Sequence, residues 1–218
     1  MKKRTLVSIA LLLLLSTITT QQELVFSTFN LKKINIENNV LLSDEDIKKL
    51  LFPIYEKNLL FLRSGEIETI LASNSLIESF NIRKNYPGTL NITIYEKKPI
   101  AILFDKTNKF YLSEKIDLIE FNKLKNQKEL PHVFSDYQSF KNFYLDLKKM
   151  DFPFYIIKKY TLFESNRWDL ETKNEKIIKL PIENYKKSLK NYLNLRNKKG
   201  FKKYQVFDYR IKNQLILK

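Results

Sequence analysis

Catalysis by side chains needs convergent groups, and this chain carries few of them. Its single histidine, His132, follows Pro131 in an expected loop, and no second imidazole or G-x-S-x-G elbow exists to build a nucleophile–base relay. Cysteine is absent, which removes disulfides, thiolate nucleophiles and thiolate-bound zinc together. Gly65, Gly88 and Gly200 are too scattered for a phosphate-cradling loop or a dinucleotide turn. No acidic spacing matches a calcium loop. The expectation is a protein that is not an enzyme, with no cofactor, no metal and no small-molecule substrate.

What remains is main-chain chemistry. A strand at a sheet edge carries a row of backbone donors and acceptors that a partner segment can extend, main-chain bonds giving affinity and alternating side chains giving choice. The last stretch, Tyr204 to Lys218, reads as one or two strands: Val206, the quartet Phe207-Asp208-Tyr209-Arg210, a polar turn at Lys212-Asn213, then Leu215-Ile216-Leu217. The competing reading is a strand that merely closes its own sheet. Trp168 beside Arg167 is a second candidate anchor, set against the commoner use of a strand Trp as core filling.

The elements that position this tail are legible upstream. Phe80 to Tyr86 and Thr89 to Tyr95 alternate apolar and polar residues, and Pro87-Gly88 between them supplies one fixed φ and one residue free to take positive φ, the signature of a hairpin. Leu90, Ile92 and Ile94 share a face that needs a cover. Ser43 before Asp44-Glu45-Asp46 caps a helix with Ile47, Leu50, Leu51 and Ile54 inward, and a second helix starts near Ser64 with Ile67, Ile70 and Leu71 inward. Leu31 to Ile36 alternates like an edge strand. The order is strand, helix, helix, strand, strand.

Beyond it, Ile100 to Phe104, Phe110 to Leu112 and Ile116 to Phe121 form a meander. Phe140 to Met150 has a helical pattern, while Phe154 to Ile157 and Tyr160 to Phe163 read as strands. Arg167 to Thr172 and Lys176 to Pro181 flank a turn at Lys173-Asn174-Glu175 as an antiparallel pair. Ile182 to Arg196 is amphipathic, with Tyr185, Leu189, Tyr192 and Leu193 as its stripe.

At the other end, Met1-Lys2-Lys3-Arg4 precedes an uncharged run, Thr5 to Thr20. As a helix it spans roughly 24 Å against a ~30 Å hydrocarbon core, a deficit that snorkelling Lys and Arg can cover. The basic end should stay cytoplasmic and the body should be exported. A cleaved signal peptide has the same apolar pattern, but Ser16 to Thr20 offers no A-x-A-like site.

These residues resemble the FtsQ/DivIB family of cell division proteins. Ile82-Arg83-Lys84, Tyr86-Pro87-Gly88-Thr89-Leu90, Ile92, Ile94, Glu96 and Pro99-Ile100-Ala101 match the spacing of that family's POTRA domain. Leu130-Pro131, Arg167-Trp168-x-Leu170, Ile178-x-Leu180-Pro181 and Phe207-Asp208-Tyr209-Arg210 follow in the order of its β domain. The resemblance implies an α+β fold: a transmembrane helix, a β-α-α-β-β POTRA domain, then a mostly antiparallel β domain with flanking helices. The expected divisions are a cytoplasmic head (1–4), transmembrane helix (5–20), connector (21–28), POTRA domain (29–103) and β domain (104–218).

By the same resemblance the protein is a non-enzymatic division scaffold of the inner membrane, single-pass, mostly periplasmic and placed at the septum. The resemblance also implies that its C-terminal edge, Ile211 to Leu217, receives FtsB, a small bitopic protein that pairs with FtsL, with Arg210 meeting an acid of that partner. The candidate partner-binding residues are Arg210, Ile211, Gln214, Leu215, Ile216 and Leu217. POTRA modules also serve outer-membrane assembly and secretion factors, the alternative reading. That class usually carries tandem modules or a barrel, and this chain has one module and no length for a barrel.

Charge fits neither reading uniquely. The formal net charge is +15 over 218 residues with 44% hydrophobic content, so the chain is globular and basic. Its lysines are dispersed among Asn, Ile and Glu, the densest cluster being Lys198-Lys199-Gly200-Phe201-Lys202-Lys203. Dispersion favours a solvated surface over attraction to anionic lipid or an acidic partner, and most of all over nucleic acid.

Overall fold

The computed structural model describes residues 2–16, 27–122, 124–125 and 129–218. The chain divides into two compact units, residues 1–96 with 124–126, and residues 97–123 with 127–218. Residues 97–103, grouped above with the first domain, belong to the second unit.

In the first unit, helix α1 covers Lys2–Ser16. Its apolar side chains, Leu11 to Leu15 among them, are exposed. Among the described residues no helix is long and apolar enough to cross a membrane. Residues 17–20 of the expected span, and 21–26 of the connector, lie outside the described residues.

The first unit then runs β1 (Lys33–Glu37), α2 (Asp44–Leu50), α3 (Ser64–Ala72), β2 (Ile77–Asn85) and β3 (Thr89–Glu96), the expected order. The sheet order is β1-β3-β2, with β1 parallel to β3 and β2 antiparallel to it. Leu90, Ile92 and Ile94 of β3 are fully buried together with Ile47, Leu51, Ile54, Ile67 and Leu71 from the helical side. At roughly 1.5–3 kcal/mol for each fully buried aliphatic side chain, this layer is the main source of the unit's stability. The opposite face carries an Asn35–Asn91 amide pair at 2.8 Å. Ser43 caps α2 as expected, its hydroxyl accepting from Asp46 N.

Two features of this unit rest on single residues. Glu96 receives the backbone N–H groups of Val40, Leu41 and Leu42 at 3.1, 2.7 and 2.8 Å, fixing the segment before α2. Gly88 does not use its freedom to take positive φ. It is required for space: a Cβ there would lie 2.6 Å from the Asn30 carbonyl oxygen.

The second unit holds one sheet of β4 (Pro99–Asp105), β5 (Asn108–Ser113), β6 (Leu118–Glu120), β7 (His132–Phe134), β8 (Ile157–Leu162), β9 (Trp168–Thr172), β10 (Ile177–Lys179), β11 (Val206–Asp208) and β12 (Ile216–Leu217), ordered β12-β11-β10-β9-β8-β7-β4-β5-β6. Two helices, α4 (Tyr137–Lys149) and α5 (Tyr185–Leu195), complete it. The hairpin pairs are antiparallel, as expected, but β4–β7, β7–β8 and β10–β11 are parallel, so the sheet is mixed.

The helices explain two of the three parallel pairs; β4 reaches β7 through β5 and β6. Helix α4 carries the crossover from β7 to β8 and α5 that from β10 to β11, the βαβ connections that adjacent parallel strands require. Both meet on one side of the sheet: Phe143 of α4 stacks on Trp168 at 4.4 Å and tilts against Tyr185 of α5 at 5.4 Å. The Tyr185 hydroxyl donates to Asp146 of α4 at 2.6 Å.

Trp168 is core filling, not an exposed anchor. His132 lies in β7 instead of a loop, its ring against Phe104 at 5.3 Å. Phe154–Ile156 is a 3-10 turn and β8 starts only at Ile157, because Phe154 packs on Tyr144 of α4 at 4.6 Å in the connection between helix and strand.

Candidate functional site

The end of the chain reaches the margin of the large sheet. Register places Leu170, Ile178, Phe207 and Leu217 in one cross-strand row and Asp169, Lys179, Asp208 and Ile216 in the next. Successive strand residues face opposite sides. The first row lies under the helices: Tyr192 of α5 meets Phe207 edge-on at 5.0 Å, and Leu215 and Leu217 pack against the same core. The second row forms the open face.

Among the described residues, β12 pairs with β11 alone and is the outermost strand. Val206 and Lys218 exchange both backbone bonds, at 3.0 and 3.1 Å. In an antiparallel ladder hydrogen-bonded pairs alternate with non-bonded ones. The N–H and C=O of Leu217 therefore point away from β11, out of the sheet. Ile216 is 37% exposed on the open face beside them.

The expected receiving edge, Ile211 to Leu217, is shorter than the sequence reading made it. Only Ile216–Leu217 is strand; Ile211 to Asn213 turn, with Gln214 N bonded to Ile211 O at 3.1 Å and Asn213 at φ 61°. Ile211 and Gln214 are exposed on that turn.

Arg210 is engaged within the chain. Its Nε lies 2.9 Å from Asp208 Oδ1 and its Nη2 2.6 Å from Oδ2, a side-on pairing that leaves the Nη1 donors of the fork over. The bonds from Arg210 hold the Asp208 carboxyl below its usual range, whereas burial pushes neighbouring Asp169 up despite Arg167 at 3.3 Å.

The terminal turn walls a cleft of about 830 Å³, lined by residues of α5, the segment before it and the tail. Arg167, Lys187, Arg210 and Lys212 line it, with Glu183 as the acidic exception. Tyr209 closes one side, its hydroxyl donating to Asn191 of α5 at 2.9 Å while burial raises the phenol above its ordinary range. Arg210, Ile211, Gln214 and Leu215 thus share a cleft, and Ile216 and Leu217 continue from it as the sheet edge. Sequence reasoning missed Lys187, Asn191 and Asp208. The spacing of Lys187 and Asn191, four residues apart on the polar face of an amphipathic stretch, is the signal that could have found them.

Comparison with known proteins matches the first unit to a known module. The POTRA domain, FtsQ-type, matches residues 29–97. The cell division protein FtsQ of Rickettsia bellii (strain RML369-C) is 29% identical over 198 residues, covering 87% of this chain and 72% of its own. That of Rickettsia conorii (strain ATCC VR-613 / Malish 7) is 28% identical over 196 residues with the same coverage. The major extracytoplasmic domain of the cell division protein DivIB from Geobacillus stearothermophilus, in its trans isomer, covers 47% of this chain and 92% of its own at 14% identity and a TM-score of 0.34.

An FtsQ-type POTRA unit is thus followed by a mixed-sheet unit. Over most of its length the chain is similar to the cell division protein FtsQ, and its first unit to the FtsQ-type POTRA domain.

Proposed function

We propose that the protein is a single-pass scaffold of the inner membrane at the division septum, with its body in the periplasm, and that the β12 edge receives a strand from an FtsB/FtsL-like bitopic partner. The first unit aids recruitment to the division site. The exposed apolar side chains of α1 support anchorage, since a helix of leucines with no protein cover is at home in hydrocarbon. The apolar run continues in sequence to Thr20, and Lys3 and Arg4 mark its cytoplasmic end.

The observation that carries the docking reading is the outward Leu217 N–H and C=O on a strand with one neighbour. An incoming antiparallel strand would pair there, while the adjoining cleft, rimmed by Arg167, Lys187 and Lys212, would take a neighbouring acidic segment of the partner. Most affinity comes from strand addition; Arg210 supplies orientation.

Copurification of the full chain with an FtsB/FtsL-like pair tests it. Leu217→Pro removes an outward donor and leaves the bonds to β11 in place, and Leu215→Pro is the second variant. Loss of the partner with an unchanged unfolding curve is the expected result. Retention of the partner by a folded Leu217→Pro chain overturns the edge.

A further inference from the structure

The first unit has a second surface with a chemistry of its own, at the end where the chain enters from α1. Leu59 N donates to Phe29 O at 2.8 Å, Leu31 N donates to Lys57 O at 2.9 Å, and Asn30 bridges Asn58. The tip of the β2–β3 hairpin joins them: Lys32 N and Lys33 N donate to Gly88 O at 2.9 and 3.1 Å, and Phe29 meets Tyr86 edge-on at 6.1 Å. Three segments are therefore locked together around the entry point.

Their outward side chains are apolar and aromatic with basic neighbours. Phe61 is 70% exposed, Tyr86 54% and Leu60 42%. Lys32 and Arg63 are exposed beside them; Lys57 pairs with Glu66 at 2.8 Å, and Glu56 is the remaining acid of the same loop. Large apolar tips flanked by cations are the composition of a surface that sits in the headgroup layer of a bilayer.

We propose that this tip, Leu60-Phe61 with Tyr86, rests on the bilayer surface, its aromatics in the interface and Lys32 and Arg63 against anionic headgroups. The proposal rests on anchorage through α1. Two observations select the bilayer over a protein as occupant. The tip surrounds the point where the chain enters the folded unit at Phe29 to Leu31, and the ten residues 17–26 between it and α1 limit the separation to roughly 35 Å at full extension. The opposite end of the unit, reached along β3 from Thr89 to Glu96, carries Val40 and lies a strand's length away.

The absence of cysteine makes a direct test possible, because a single introduced thiol labels uniquely. The full chain is reconstituted in vesicles of phosphatidylethanolamine and phosphatidylglycerol with a nitroxide at Leu60→Cys or Tyr86→Cys, at Val40→Cys as the far-end control, and at Leu12→Cys in α1. Relative accessibility to oxygen and to a water-soluble nickel chelate is read for each. The expected result is an oxygen-to-nickel ratio several-fold higher at positions 60 and 86 than at 40, falling when phosphatidylglycerol is replaced by phosphatidylcholine.

Ratios at 60 and 86 equal to that at 40, with position 12 in lipid, overturn the proposal and leave the anchor intact. An aqueous position 12 overturns the anchorage reading, and this proposal with it. A raised ratio at 60 and 86 indifferent to phosphatidylglycerol keeps the apolar contact and overturns the role given to Lys32 and Arg63.

Discussion

Arg210 grips Asp208 side-on, Nη2 to Oδ2 at 2.6 Å, across a single intervening residue of the chain's last turn. The carboxylate is nearly buried, whereas the guanidinium is 44% exposed. Removing the arginine leaves the acid with the Arg210 backbone N–H at 3.1 Å and Lys179 across the strand. Arg210→Ala should lower the urea midpoint only slightly, as expected of a solvent-screened pair. Since Nε and Nη2 of that guanidinium are already held by Asp208, its loss should weaken partner capture far less than loss of the strand edge does. Leu217→Pro should abolish capture. Titration calorimetry of both variants separates the two contributions.

Acid should loosen the second unit before the first. Asp208 is held down by Arg210, Asp146 by Tyr185 and Lys186, and Asp136 by Ser139. A carboxyl with a lowered folded pKa contributes stability that is whole above the unfolded value of about 4 and is lost as pH falls through the folded one. Asp169 has the opposite sign, because burial raises it and its protonation on acidification favours the fold. Urea midpoints of the second unit should therefore drop steeply below about pH 4, and Asp208→Asn should flatten that dependence. An Asp169→Asn chain should gain midpoint at neutral pH relative to the parent.

The Glu96 carboxylate closes three backbone donors that precede α2. Glu96→Ala should destabilise the first unit by about 2 kcal/mol, in line with hydrogen bonds to a charged acceptor. Amide exchange at Val40 to Leu42 should quicken in the variant while β9 and β10 are unchanged.

Substituting Gly88 tests the close approach. A methyl group 2.6 Å from a backbone carbonyl cannot be relieved by a side-chain rotation. Gly88→Ala should lower stability by about 1–3 kcal/mol, the range for forced overpacking. Thermal unfolding reads the cost, and amide exchange at Lys32 and Lys33 shows where it is borne.

Helix α4 depends on Asp136, whose side chain accepts from Ser139 N at 2.9 Å. Asp136→Ala should cost about 1 kcal/mol, and Asp136→Asn should restore most of it, since the amide oxygen can still accept. Tyr185→Phe, which deletes the bond to Asp146, should add to the Ala variant independently because the two contacts share no group.

Local patterns determined the first unit almost entirely. The alternation of Leu90, Ile92 and Ile94, the Ser43 cap and the 0-3-4-7 spacing from Ile47 are short-range signals, and each element formed where its own residues placed it. In the second unit Tyr137–Lys149 and Tyr185–Leu195 were visible as amphipathic stripes for the same reason. Pairing was visible only where a short turn joins two strands, as in β2–β3 and β9–β10; between strands distant in sequence it was not. Whether β10 meets β11 in parallel, and that β12 ends outermost, depends on how α4 and α5 carry the chain over the sheet, and backbone hydrogen bonds between distant strands leave no periodicity in either partner. The same holds for the roles of Arg210, taken up by its neighbour Asp208, and of Gly88, needed for clearance and not for φ. Residue types select the local conformer; which groups then come within reach of one another is decided by packing across the whole chain.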